Sequence, residues 1–361
     1  MTTNEDKYMG DNPVLTDLIH IIPAVLITFL FQVILHEIGH LLGGLFTGWA
    51  FLFIHIYRFV IIRSDKGLGV RIVNDIGFQC IMYPKKADAD AIPYTMGGCI
   101  LNFLSAVISF IMLFYAHISS ILWLYTWSFF LFAIGIFIMN GTSSIKRLCN
   151  DKACYNLLKS NNRARVLHNI QLLIAKQLIK GLCYSEIGDE SICFWHGVAM
   201  NDIEAYQLIL EYYYYLDTDN YMKQDTVLHR IKNREKISKD LRDIMEMELI
   251  YGRLYSALRL HIKSYTDIDT IEEALRKHGR RGDIHSLRVF TAYKAYMHFI
   301  EESNQEALNL IDSTIDALQK SNYIYEGDKV FCIRQLSNIK NMIINDDINQ
   351  IILQEKQIFK I

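Results

Sequence analysis

The strongest constraint on this chain of 361 residues is the stretch Phe31–Gly48, which reads FQVILHEIGHLLGGLFTG. It sets His36, Glu37 and His40 inside an otherwise apolar run. A helix brings residues i and i+4 onto one face, so the two imidazoles can bind one metal ion while the carboxylate acts on a water beside it. The alternative is a polar cluster that only pairs with neighbouring helices. Because burying these groups costs several kcal/mol unless a cation offsets it, the stretch favours a metal site.

Three apolar segments are long enough to cross a bilayer. The first, Leu18–Leu35, spans about 27 Å as a helix and nearly crosses the hydrocarbon before His36 is reached. The second runs from Pro93 to about His117, and the third from Ile121 to Met139. We therefore expect a membrane protein whose metal site lies toward the far side of the bilayer from the N-terminus.

The distribution of Lys and Arg predicts how these segments are oriented. The 50–92 segment and the chain after Asn140 carry several basic residues, whereas the 117–120 link carries none. By the positive-inside rule, the N-terminus lies outside, and the 50–92 segment and the C-terminal part lie in the cytosol. The first ten residues contain Glu5 and Asp6, so we expect no cleavable signal peptide and a first helix that stays in the membrane.

Charge separates an apolar part of the chain from a solvated part. Residues 1–150 hold 9 of the 37 Lys and Arg residues and 9 of the 39 Asp and Glu residues. We expect a disordered N-terminus at 1–13, a membrane-embedded core at 14–155 and a cytosolic helical domain at 156–361. The net charge of −2 argues against a nucleic-acid partner, which needs a basic face. The seven cysteines are odd in number and form no CxxC, so we expect mostly reduced thiols.

A segment with the composition of β-strands lies between the first and second apolar segments. Residues 51–63 and 70–83 are rich in β-branched and aromatic side chains and flank a polar break with glycines. This pattern predicts a β-hairpin within 50–92, with Gly67 and Gly69 near its turn. Such a hairpin could pair with a substrate made extended, because an intact helix hides its amides in hydrogen bonds.

Beyond residue 155 the apolar spacing is helical throughout. Small residues among large apolar ones suit stacked helix pairs of the tetratricopeptide type, with a plain helical bundle as the alternative. The expected fold class is mainly α: a three-helix transmembrane core with a β-hairpin, followed by a helical-repeat domain. Helices are expected at about 164–182, 201–215, 241–263, 284–301, 305–320 and 326–344.

The metal site needs a further ligand. A catalytic zinc usually holds three protein ligands and a water, so two histidines leave it one ligand short. The best candidate is Asp151, just past the third apolar segment, where the chain can fold back toward the site. His55, His117 and Cys149 compete for this role.

Asn102 lies in the apolar run GGCILN at 97–102. An amide inside a membrane must find a partner. Its side chain can hold a scissile carbonyl or stabilise the oxyanion that forms on it. The alternative is a plain hydrogen bond between helices.

Together these motifs resemble those of the site-2 protease type of intramembrane zinc metalloproteases, peptidase family M50. The resemblance covers roughly residues 18–155. It rests on HEIGH at 36–40, GGCILN at 97–102 and the region Asn140–Asp151. The family's membrane orientation agrees with the one that charge predicts.

The resemblance implies a set of roles. Zinc would be held by His36, His40 and Asp151. Glu37 would be the catalytic base, and Asn102 would help to hold the substrate. The expected activity is that of a zinc metalloendopeptidase.

The substrate would be a membrane-associated protein or a short peptide precursor, and the cytosolic helical domain would bind a substrate tail, a regulator or a partner subunit. A rival interpretation is a non-catalytic membrane receptor or scaffold that keeps the protease fold. Its basis is the third motif, where Lys152 follows Asp151 in place of the family's glycine.

Overall fold

A computed structural model describes residues 13–64, 67–86, 88–115, 119–144, 150–231, 237–262, 268–279 and 283–358. The described chain is mostly helical with one two-stranded antiparallel hairpin, which confirms the coarse fold class. The predicted disorder of the N-terminus concerns residues outside these ranges, except Pro13, which begins the first helix.

The chain divides into two compact units. The first, called the membrane unit, comprises described residues up to Ile56, those of 78–144 and those of 150–161. The second, called the helical unit, comprises described residues of 57–77 and those from Asn162 onward.

The membrane unit contains three helices that are long and apolar enough to cross a membrane. Their spanning portions are Ile19–Phe46, Ile92–Tyr115 and Ser120–Gly141, and many of their large apolar side chains are exposed. Lipid is the solvent that suits such surfaces, so the chain is membrane-associated. The helices of this unit are α1 (Pro13–Phe46), α2 (Ile92–Tyr115), α3 (Ser120–Gly141) and α4 (Asp151–Ser160).

Glycines let α1 and α2 approach at backbone distance. A Cβ atom placed on Gly39 would lie 2.3 Å from the carbonyl oxygen of Gly97, and one on Gly43 would lie 2.1 Å from that of Pro93. Small residues at i and i+4 are the usual means of such close packing in membranes. This contact fixes the C-terminal part of α1 against the start of α2.

The predicted hairpin is present. Strand β1 covers Ala50–Ser64 and strand β2 covers Gly67–Tyr83. Gly67 begins β2 with a φ of 111°, a backbone conformation that glycine adopts without a steric penalty. The two residues between the strands lie outside the described ranges.

The helical unit contains all six of the helices expected beyond residue 155, with ends shifted by a few residues. The last of them continues to Ile358, well past its predicted end. Repeat architecture of the tetratricopeptide type stays a prediction. The helices are α5 (Asn162–Ile179), α6 (Tyr184–Ile187), α7 (Asp189–Ile192), α8 (Asp202–Asp217), α9 (Tyr221–Val227), α10 (Lys239–Arg259), α11 (Ile268–His278), α12 (Ile284–Ile300), α13 (Asn304–Lys320) and α14 (Glu326–Ile358), with one 3₁₀ turn at Leu228–Arg230.

A buried ion pair lies in the core of the helical unit. Arg288 on α12 is fully buried, and its Nη2 lies 2.6 Å from both carboxylate oxygens of Glu248 on α10. The guanidinium also lies 4.0 Å from the centre of the Tyr251 ring, and Tyr213 donates a hydrogen bond to the same carboxylate. A buried charge is tolerated only with such partners.

Candidate metal centre

Three side chains from two helices of the membrane unit converge on one point. His36 and His40 lie one turn apart on α1, and Asp151 is the first residue of α4. The Nε2 atoms of the two histidines lie 3.2 Å apart. One carboxylate oxygen of Asp151 lies 3.1 Å from Nε2 of His36 and 3.4 Å from Nε2 of His40. The structure thus brings together the three residues to which the sequence assigned the metal.

The size of this triangle fits a metal ion. Zinc bound tetrahedrally at about 2.0–2.1 Å holds its ligand atoms about 3.3 Å apart. The three sides of 3.1, 3.2 and 3.4 Å bracket that value. The group can therefore hold a metal ion without rearrangement. Two imidazoles and a carboxylate suit zinc and other divalent transition metals alike.

His36 is oriented by a side chain. Its Nδ1 atom lies 2.6 Å from Oδ1 of Asn102 on α2. The Nδ2 atom of Asn102 donates to the side-chain oxygen of Gln32 at 2.8 Å and to the backbone carbonyl of Gln32 at 3.2 Å. Because an amide oxygen accepts the Nδ1 hydrogen, the Nε2 lone pair of His36 is left to face the metal position.

His40 is oriented by the backbone. Its Nδ1 atom lies 2.8 Å from the carbonyl oxygen of Tyr94, near the start of α2. The Tyr94 hydroxyl donates to the carbonyl of Cys80 on β2, and its ring stacks on Trp49 with centroids 4.8 Å apart. The orientation of the His40 imidazole thus depends on the position of the Tyr94 backbone, which the stacking of Tyr94 on Trp49 stabilises.

Asp151 is held by the N-terminus of its own helix. The Asn150 side chain caps α4 by accepting from the backbone N–H of Ala153 at 3.1 Å. Its Nδ2 donates to the carbonyls of Met139 and Thr142, so it ties the end of α3 to the start of α4.

Gly98 leaves the space that the imidazoles fill. A Cβ atom at this position would lie 2.6 Å from Nε2 of His40 and 2.7 Å from Cε1 of His36. Either ring would have to move. The bare backbone of α2 at this position is therefore a requirement of the site.

Glu37 lies beside the triangle and is only 6% exposed. It interacts electrostatically with both histidines and with Asp151, and a backbone hydrogen bond from Cys80 reaches its carboxylate. Strand β2 thus passes directly along the site. The arrangement places a carboxylate next to a metal position without making it a ligand.

The rival ligand candidates fare differently. His55 is a buried residue of β1 and is not part of the metal-binding group. His117 and Cys149 lie outside the described residues. Cys99, which the sequence did not single out, lies 3.5 Å from the carboxylate of Asp151.

Sequence reasoning also missed the residues that support the ligands, namely Gln32, Gly98, Ser105 and Asn150. A usable signal existed for one of them. Gln32 lies four residues before His36, so an amide in the middle of an apolar helix shares its face with the metal site.

Comparisons of the chain with protein families, with curated proteins and with solved structures found no match in any of the three.

Proposed function

We propose that the protein is an intramembrane zinc metalloendopeptidase of the site-2 protease type. The observation that carries this proposal is the ligand triangle of His36, His40 and Asp151, with the Glu37 carboxylate beside it. Zinc suits the site because its tetrahedral coordination would leave one position open beside three protein ligands. The apolar helices that carry the ligands favour a substrate within or near the bilayer.

The chemistry is divided between the metal and the protein. A zinc ion, which His36, His40 and Asp151 would hold, would supply a Lewis acid able to polarise the scissile carbonyl and to acidify the attacking water. Glu37 takes the proton of that water and passes it to the leaving amine. The backbone hydrogen bond from Cys80 holds the Glu37 carboxylate in place for both transfers.

The substrate is an extended segment of a membrane protein or of a peptide precursor. A helical segment must unwind before its peptide bonds are accessible, and a strand is a template for the unwound chain. Strand β2 passes along the site, which supports a role for it in holding the substrate. The orientation predicted from charge places the site near the cytosolic face and the helical unit in the cytosol, where it would bind a substrate tail or a regulator.

The proposal is tested with the full chain in detergent or nanodiscs. Wild type and Glu37→Gln are incubated with solubilised membrane proteins of the expression host, and new N-termini are identified by mass spectrometry. Wild type is expected to produce termini whose yield falls at least about 100-fold in the variant, because a general base contributes about 10²–10⁴ to the rate.

Zinc content separates the alternatives. Both proteins are expected to retain about one zinc per chain, since Glu37 is not among the ligands. Equal termini from both proteins would contradict the mechanism. Bound zinc without any cleavage would favour a membrane receptor or scaffold.

A further inference from the structure

We propose that Asn102 is a positioning residue that holds His36 in its metal-binding tautomer, and that Gln32 fixes the orientation of Asn102. This inference rests on the proposed metal centre. It differs from the role that the sequence assigned to Asn102, which was contact with the substrate.

The first step concerns which way the Asn102 amide points. Its Nδ2 atom lies 3.2 Å from the backbone carbonyl of Gln32, and a carbonyl can only accept. The nitrogen must therefore occupy that end, which places Oδ1 at the other end, 2.6 Å from Nδ1 of His36. An oxygen there requires a hydrogen on Nδ1. Nε2 of His36 is then the unprotonated atom, as a metal ligand must be.

The second step concerns what remains of Asn102 for a substrate. The side chain is fully buried. Both hydrogens of Nδ2 are used, one by the backbone carbonyl of Gln32 and one by its side-chain oxygen at 2.8 Å. No donor is left for a scissile carbonyl or an oxyanion.

The third step concerns the residues behind Asn102. Gln32 is fully buried, and its Nε2 lies 3.1 Å from the Ser105 hydroxyl and 3.4 Å from the carbonyl of Phe129 on α3. The Ser105 hydroxyl also lies 2.8 Å from the backbone carbonyl of Asn102. Because the Ser105 hydroxyl lies equally close to Oε1 of Gln32, at 3.2 Å, the contact that sets which end of the Gln32 amide faces Asn102 is the one with the Phe129 carbonyl, which can only accept. The Phe129 carbonyl on α3 thus orients the Gln32 amide, which orients Asn102, which in turn orients His36.

The alternative role of Gln32 is only to join three helices by hydrogen bonds. A double-mutant cycle distinguishes this role from the orientation of Asn102. Zinc affinity of the purified full chain is measured by competition with a chelator for wild type, Gln32→Met, Asn102→Leu and the double variant. Loss of an outer partner of a ligating histidine costs about 10–100-fold in metal affinity. We expect that loss for Asn102→Leu, about 10-fold for Gln32→Met, and no further loss in the double variant.

Two more variants guard against general damage to the fold. Asn102→Asp keeps an oxygen for His36 but loses the donor to Gln32, so it is expected to lose less affinity than Asn102→Leu. Ser109→Ala removes a buried α2 hydroxyl whose hydrogen bond within the described residues is to the backbone carbonyl of Ser105, and it is expected to leave affinity unchanged.

The outcomes are distinct. Multiplying losses in the double variant, wild-type affinity in Asn102→Leu, or equal losses in Asn102→Leu and Asn102→Asp would each overturn the positioning role while leaving the metal centre in place. If wild type itself takes up no zinc in the titration, the proposed function falls, and this inference falls with it.

Discussion

Buried carboxylates of the helical unit include several with a guanidinium partner, whereas Glu37 and Asp151 of the membrane unit face imidazoles. In the helical unit, three carboxylates form ion pairs with guanidinium groups of the same unit, while others, such as Asp243, face an imidazole. The pairs are Arg288 with Glu248 at 2.6 Å, Arg230 with Glu211 at 2.9 Å and Arg334 with Asp217 at 2.9 Å. In the membrane unit, Glu37 and Asp151 form no ion pair with a Lys or Arg of the described chain. They face two imidazoles instead.

The contrast separates ion pairs that are complete in themselves from a group that could hold a metal ion. A guanidinium group held against a carboxylate balances its charge and takes the place of any other cation. Two imidazoles balance the charge of a carboxylate only if they are protonated or bind a metal ion together with it. The three guanidinium pairs of the helical unit thus need no further cation, whereas the group of His36, His40 and Asp151 in the membrane unit could take one.

The largest expected effect comes from breaking the Arg288–Glu248 ion pair of the helical unit. In Arg288→Met the Glu248 carboxylate stays buried without its cation, which costs about 3–5 kcal/mol of folding free energy. Chemical denaturation of the full chain, followed by tyrosine and tryptophan fluorescence, measures it. Asp312→Asn is the matched control, because it removes an exposed partner of Lys340 and should cost less than about 1 kcal/mol. Equal costs for the two variants would contradict the contrast.

The next largest effect is expected at the candidate metal centre of the membrane unit. Asp151→Asn keeps the shape of the side chain but removes the anionic ligand. Zinc affinity should fall by more than the roughly 100-fold that loss of an outer partner costs. Chelator competition measures this loss, and unchanged affinity would exclude Asp151 as a ligand.

A pH effect of intermediate size arises at an exception inside the helical unit. Burial lowers the pKa of His168 to about 4, and its Nε2 atom has no hydrogen-bond partner among the described residues. The unfolded chain therefore binds a proton below about pH 6.5 that the folded chain refuses until about pH 4.

Stability should fall as pH drops through that window, by up to about 3 kcal/mol at 1.36 kcal/mol per pKa unit. His168→Gln should remove this contribution to the pH dependence of the free energy of unfolding. Denaturation curves at pH 7 and pH 4.5 for both proteins check it, and identical slopes would show that His168 contributes nothing.

The smallest effect sharpens how Asp151 is held. Asn150→Ala removes the α4 cap and should cost about 1 kcal/mol of local stability, whereas Asn150→Asp keeps the accepting oxygen. Hydrogen exchange at the backbone amide of Ala153 reports the loss directly. Exchange that is no faster in the alanine variant than in wild type would rule out the capping role.

Much of this architecture could be predicted from the sequence. Apolar runs of about 20 residues can only be buried or lie in lipid, so the three long helices followed from hydropathy. The i, i+4 spacing by itself places His36 and His40 on one helix face. Asp151 was the best of four candidates, and the structure brings it to the two histidines.

The support of the ligands could not be predicted in the same way. A buried amide such as Gln32 needs a partner, but its partners lie 70 or more residues away on other helices. No local pattern encodes such a pairing. The role of Gly98 depends likewise on two rings that approach it from α1.

The separation of the ligands along the chain also sets the order in which the centre can form during synthesis. His36 and Asp151 are 115 positions apart. At about 5–20 residues per second, roughly 6–23 seconds of translation divide them. During that interval the first apolar helix carries its imidazoles and its glutamate but lacks the aspartate. The group of three ligands therefore cannot be complete until the last of the three apolar helices has been synthesised.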